Sequence, residues 1–273
     1  MLIENLVGLH PSIRRIKQDT EKLGFTQALH RELSRLGIHP RINCSPTTAE
    51  IMQTAPVLTL GHHTGHGRYF GTLEWLASLP DRQDITLFGD VHAIQLYLGR
   101  TKMNNLLEVE SVSQQVGKSL RSKLITFFGY LLLDNHQLTK REKTLKNKAN
   151  YPIAIARLDA GGLVALAPDA SQGPEAKWFH RTGEIINGLK TDSDAQIVMA
   201  YINNNSDLAL RALLPFGRLF VPQSAKNDQV FLSEPLSVAK LRERLNLSGH
   251  PAQDNRQTTA VLQEIYRSWK ASL

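Results

Sequence analysis

The sequence predicts an α/β fold: a single domain with a mostly parallel central sheet flanked by helices, and a helical amino-terminal segment. Two observations carry the class. Short aliphatic and β-branched runs recur at about 56–60, 85–88, 130–133, 163–167 and 195–202, each of a length suited to a strand buried on both faces. Stretches with apolar residues at helical spacing lie between them, and strands alternating with helices specify one layered α/β domain. Size and composition agree. With 273 residues, 41% of them hydrophobic and 21% charged, the chain buries a substantial core and is not a disordered polypeptide.

Taken in order, residues 1–54 read as the helical segment and 55–273 as the α/β domain. Residues 11–36 form one or two amphipathic helices, with Ile13, Ile16, Leu23, Phe25, Leu29 and Leu33 on the apolar side. Arg41–Cys44 reads as a short strand and Thr47–Gln53 as a capped helix. The strand at 56–60 leads into a glycine-rich loop and then a helix over Tyr69–Leu79. Val112–Phe128 is amphipathic, and 138–150 is a strongly basic helix whose lysines face solvent. Ile153–Asp159 completes that helix before Gly161-Gly162 ends it. Leu208–Leu214 and Val230–Leu232 read as antiparallel edge strands, and Thr258–Trp269 as a closing helix.

The charge balance narrows the partners. A net charge of +7 and an isoelectric point near 9.5 favour an anionic partner. The basic residues are dispersed and only 7% of the chain is aromatic, so a lipid surface or a phosphorylated substrate fits better than nucleic acid. The single cysteine, Cys44, rules out an intramolecular disulfide and a cysteine-rich metal site, and suits a reducing, cytoplasmic setting. Met1–Leu9 reads as too short and too uncharged for a secretory signal. No run reaches the roughly 18–20 apolar residues of a spanning helix; the longest, Leu124–Leu133, is half that. The expectation is therefore peripheral contact with an anionic membrane on its cytoplasmic face.

The most informative stretch is Gly61-His62-His63-Thr64-Gly65-His66-Gly67-Arg68, directly after the strand at 56–60. In open α/β sheets, ligands bind at the carboxyl ends of the strands. Glycines there let backbone approach a ligand, and imidazole exchanges protons near neutral pH. A second loop of this kind, Pro168-Asp169-Ala170-Ser171-Gln172-Gly173-Pro174, follows the strand at 163–167.

These two loops, about a hundred residues apart, resemble the blocks of the glycerolipid/lysophospholipid acyltransferase superfamily, nearest its lipid A lauroyl/myristoyl acyltransferase-like branch. Leu60-Gly61-His62-His63-Thr64-Gly65 matches the strand–histidine block. Leu166-Ala167-Pro168-Asp169, then Trp178-Phe179 and Gly183, matches the second block, and Phe128–Asp134 occupies the place of the short glycine–strand–acid segment. The family places a carboxylate five residues after its histidine. Here that position is Arg68, and Glu74 followed by Trp75-Leu76 supplies the acid-like context several residues later. Gln172 stands where the family has an arginine.

The resemblance implies transfer of a fatty acyl group from acyl-CoA or acyl-ACP to a hydroxyl of a lipid or related acceptor, with no cofactor. It makes His63 the general base, with Glu74 or Asp169 as its carboxylate partner. His62, His66, Arg68, Ser171, Gln172 and Phe179 become substrate-binding residues, and the guanidinium of Arg68 suits phosphate oxygens. Two other readings remain open. One is a catalytically silent relative that binds acyl chains or lipid. The other is a metal-dependent hydrolase using His62, His63 and His66 with Asp90, His92 and Asp169, although adjacent His62 and His63 point apart on an extended backbone.

Overall fold

The structure, a computed structural model, describes residues 11–35, 39–61, 75, 78–82, 84–90, 106–109, 140–168, 177–203 and 229–273. The amino-terminal part is a helical hairpin, α1 (Pro11–Leu23) and α2 (Phe25–Arg35). It turns at Gly24, whose φ of +82° is a left-handed conformation that glycine adopts without a Cβ clash. Ile16, Ala28, Leu29 and Leu33 are buried in the hairpin. Glu32 is buried with them and accepts hydrogen bonds from both Arg15 and Arg35. Without those partners, a buried carboxylate would carry a desolvation penalty of several kcal/mol.

A short strand, β1 (Arg41–Asn43), precedes α3 (Pro46–Thr54). The Oγ of Ser45 accepts the Thr48 N–H and caps α3, and Pro46 occupies the first turn, where its missing N–H is not needed. The elements that follow are β2 (Val57–Leu60), β3 (Ile85–Asp90), β4 (Leu106–Val109), α4 (Lys140–Asp159) and β5 (Leu163–Leu166). Then come α5 (Arg181–Gly188), β6 (Gln196–Asn203), β7 (Gln229–Leu232), β8 (Leu236–Ser237), α6 (Val238–Glu243) and α7 (Pro251–Ala271).

Among the described residues, the strands form one sheet in the order β1-β7-β6-β2-β5-β3-β4, with β8 also paired to β6. Strands β6, β2, β5, β3 and β4 run parallel. β7 and β8 run antiparallel to β6, and β1 runs parallel to β7. The expected single α/β domain with a mostly parallel sheet and a helical amino-terminal segment is therefore present. One detail differs. Val230–Leu232 lies in an antiparallel strand as read, but that strand is not an edge, because β1 covers its outer side and Ile42 pairs with Val230. The readings at 112–128, 130–133 and Leu208–Leu214 lie outside the described residues.

Alternation along each strand distributes side chains to two cores. Leu58, Leu60, Val164, Leu166, Ile197 and Met199 join one core with Ala154, Leu158, Ile185, Ile186, Leu262 and Tyr266 of the helices. Val57, Leu163, Ala165, Val198 and Ala200 join the other with Met52, Trp75 and Leu79. Because both faces are covered, β2 and β5 are apolar nearly throughout, which is the pattern that made them legible in sequence.

Candidate functional site

The site region begins where β2 and β5 end together. Leu60 is in register with Leu166 on one side and Met199 on the other. One residue further on, the Gly61 N–H donates to the Leu166 carbonyl at 3.2 Å. The two chains therefore leave the sheet side by side at its carboxyl edge, as the sequence reading expected. Residues 62–74 follow the first end and 169–176 the second. His62, His63, His66, Arg68 and Glu74 belong to the first segment and Asp169, Ser171 and Gln172 to the second, and all eight lie outside the described residues. Of the sequence-selected residues, Phe179 is described; its ring is exposed.

The anchors of both segments are described. A Cβ on Gly61 would lie 2.4 Å from Cδ2 and 2.6 Å from Cε2 and Cε3 of Trp75, so this strand end accepts only glycine without displacement of the indole. Trp75 is buried, and its Nε1–H donates to Thr59 Oγ1 at 3.4 Å, on the face that Thr59 shares with Val57. The thirteen residues 62–74 thus start at Gly61 and finish at a tryptophan packed on Gly61. His62 is bonded to one partner of that contact and Glu74 to the other.

The second segment is closed by a different set of contacts. The Phe179 N–H donates to the Pro168 carbonyl at 3.0 Å. Trp178 is buried with its ring centroid 5.1 Å from that of Tyr266, and its backbone N–H donates to Gln263 Oε1 at 3.3 Å. Helix α7 therefore holds the return of this segment. The buried indole N–H of Trp178 has no acceptor among the described residues.

Three residues near this edge were not singled out in the sequence. Tyr151 of α4 stacks on Phe88 of β3, with centroids 6.2 Å apart and planes 14° from parallel. The Arg181 guanidinium lies 5.4 Å from the centroid of the Tyr151 ring and bonds Glu184 at 2.6 Å. Burial pushes the Tyr151 hydroxyl above its ordinary pKa, so it remains a proton donor near neutral pH. His180 follows Phe179 directly. Its pKa is lowered, first by burial and then by the positive charge of Arg181, and its ring is held neutral near pH 7. The edge thus offers a phenol, a neutral imidazole and a guanidinium besides the two histidine- and aspartate-bearing segments. The available signal for His180 was its place within a dozen residues of Asp169.

Among the described residues, no three histidine, cysteine, aspartate or glutamate side chains gather as a metal site. The histidines of the hydrolase reading, His62, His63, His66 and His92, lie outside those residues. No helix among the described residues is long and apolar enough to cross a membrane. Comparison with known protein families and with curated proteins gives no match for this chain.

Proposed function

We propose that the protein is an acyltransferase that moves a fatty acyl group from an acyl thioester, acyl-CoA or acyl-ACP, to a hydroxyl of a lipid or related acceptor at the cytoplasmic face of a membrane. The observation that supports this reading most is the paired departure of the two loop-bearing strands, fixed by the Gly61–Leu166 hydrogen bond. It brings the starts of the segments that carry His63 and Asp169 to one edge of the sheet, where acid–base chemistry with a shared substrate is feasible.

In this mechanism His63 takes the proton of the acceptor hydroxyl as that oxygen attacks the thioester carbonyl. The carbon–sulfur bond then breaks, and the departing thiolate takes up the proton held by His63. An orienting carboxylate fixes the imidazole tautomer and steadies its cation, a contribution of up to about four orders of magnitude in rate. Glu74 is the first candidate for this role. Chain continuity supports it, because Glu74 is bonded to Trp75 and the Trp75 ring rests on the residue before His62. Asp169 is the reserve. Arg68, His62 and His66, with Ser171, Gln172 and Phe179, bind the substrate.

The test is release of free thiol from acyl-CoA or acyl-ACP by the purified protein, measured with and without hydroxyl acceptors. His63→Ala should lower turnover by about 10²–10⁴-fold, the range of a lost general base. His66→Ala should lower it less. Thioester binding with no thiol release in the presence of acceptors would refute acyl transfer and leave a lipid-binding protein. A stoichiometric transition metal in the purified protein would move the reading to the hydrolase.

A further inference from the structure

Helix α4 carries a surface that the acyl-transfer reading does not use. Its inner side is fixed by the fold, with Tyr151, Ala154 and Leu158 buried in the core beside β5. Its outer side has an unusual composition. Arg141, Leu145, Lys148, Ala149, Pro152 and Ile153 are all exposed, recurring at intervals of three or four residues along one side of the helix. Leu145 is 58% and Ile153 44% exposed, so two large aliphatic side chains project into water on a face that also carries two cations, Arg141 and Lys148, and one acid, Glu142. The two aliphatic side chains lie eight residues apart, about two turns, on the same side of the helix. Exposed aliphatic residues flanked by lysine and arginine are the composition of a helix that lies on an anionic membrane, with the aliphatic groups dipping into the acyl boundary.

The position of the helix supports the same partner. Asp159 ends α4 at the amino edge of the sheet, where the Gly162 carbonyl accepts the N–H of Val57 at the start of β2. From there α4 runs back along the sheet toward the carboxyl edge. Tyr151 meets Phe88, which is one residue beyond the Leu87–Ala165 pair and so level with Leu166 and Leu60. From that level residues 140–150 continue for about 16 Å at the rise of an α-helix, in the direction in which β3 runs on to Asp90 and β6 to Asn203. In sequence, that part contains Lys140, Arg141, Lys143, Lys146 and Lys148 against a single acid, Glu142. The cationic end of α4 thus lies toward the carboxyl ends of β2 and β5, from which the histidine and aspartate segments start.

We infer that the outer face of α4 is a docking surface for an anionic lipid bilayer. Its value in delivering a lipid acceptor rests on the acyl-transfer reading; the docking itself does not.

Co-sedimentation of the full chain with vesicles of phosphatidylcholine containing about one-third phosphatidylglycerol tests it, with thermal melting as the folding control. Binding should fall steeply with salt, since exposed charges are screened within about 10 Å at 0.1 M ionic strength. The double variant Arg141→Gln/Lys148→Gln should weaken binding by about fivefold per charge, on the order of 25-fold in all. The variant Leu145→Ser/Ile153→Ser keeps every charge and should still weaken vesicle binding by roughly tenfold through lost insertion. Vesicle binding that is absent in the wild type, unchanged in the Arg141→Gln/Lys148→Gln variant or equal on neutral vesicles overturns the inference. So does a loss confined to affinity for an acidic acyl carrier protein. His63→Ala should lower thiol release by about 10²–10⁴-fold and keep vesicle binding, which separates failure of the docking from failure of the catalytic reading.

Discussion

Replacing Gly61 with alanine tests the anchoring of the histidine segment in one step. The added methyl would lie 2.4 Å from Trp75 Cδ2 and 2.6 Å from two more ring carbons, whereas ordinary contact begins near 3.4 Å. The indole must retreat by about 1 Å, yet Trp75 is only 3% exposed and has Leu79 and Leu87 in the same core. Overpacking of this kind costs about 1–3 kcal/mol. Weakening the Trp75–Thr59 hydrogen bond adds up to about 1 kcal/mol. A loss of about 2–3 kcal/mol follows, or a fall in Tm of roughly 3–5 °C for a chain of this size. On the proposed role of Glu74 as the carboxylate beside His63, a displaced Trp75 also disturbs its bonded neighbour, and misplacement by about 1 Å can lower turnover by roughly 10²-fold. Thermal melting and thiol release read the two effects separately. Adding Trp75→Leu gives the new methyl room, so the double variant should be more stable than the sum of the single losses by about 1–2 kcal/mol. Gly61→Ala with wild-type melting and turnover, or single losses that simply add, would refute the reasoning.

Two further substitutions probe the frame around the site. A Cβ at Gly183 would lie 2.0 Å from the Asn255 backbone oxygen, so Gly183→Ala should lower stability by about 2 kcal/mol in chemical denaturation despite alanine's helix preference of about 1 kcal/mol. Unchanged or raised stability would mean that α5 and α7 separate freely. Burial alone would raise the pKa of Asp254, but the Ser248 N–H and Oγ–H and the Gly249 N–H donate to its carboxylate and hold it below the ordinary value. Its contribution is therefore present above the unfolded pKa of about 4 and lost as pH falls through the lower folded value. Asp254→Asn should lower Tm at pH 7, with the difference from wild type shrinking below about pH 4; a constant difference across that range would contradict the assignment.

What was legible in the sequence follows from where the physics is local. The runs at 57–60, 163–166 and 196–203 were readable because burial on both faces forces unbroken apolar stretches. The α3 helix was readable over Thr47–Gln53, one residue inside its observed Pro46–Thr54 at each end, and the α4 end because Gly161, with φ of +90°, breaks the helix. β4 was not read. Its four residues, Leu-Leu-Glu-Val, are too short and too mixed to separate from a loop, and its pairing with β3 supplies what its own pattern lacks. The contact between Gly61 and Trp75 was equally hidden. Glycine was visible there, but the reason for it is a ring fourteen residues later in the chain. The common starting edge of the two loops was legible from the parallel strands that precede them, whereas Tyr151, His180 and Arg181 reach that edge only through packing.

At the opposite edge of the sheet, the Arg82 guanidinium donates to the carbonyls of Met52, Ala55 and Gly161 and pairs with Asp84. Its three carbonyl partners lie 30, 27 and 79 residues away in sequence, so each contact requires a loop to close before it forms. One planar cation thus ties together the end of α3, the approach to β3 and the turn before β5, three segments that no strand pairing among the described residues joins to one another at this level. Severing it would leave three backbone carbonyls without their charged donor at the edge opposite the candidate site, so the loss would be read in stability while the strand ends that carry the site keep their register.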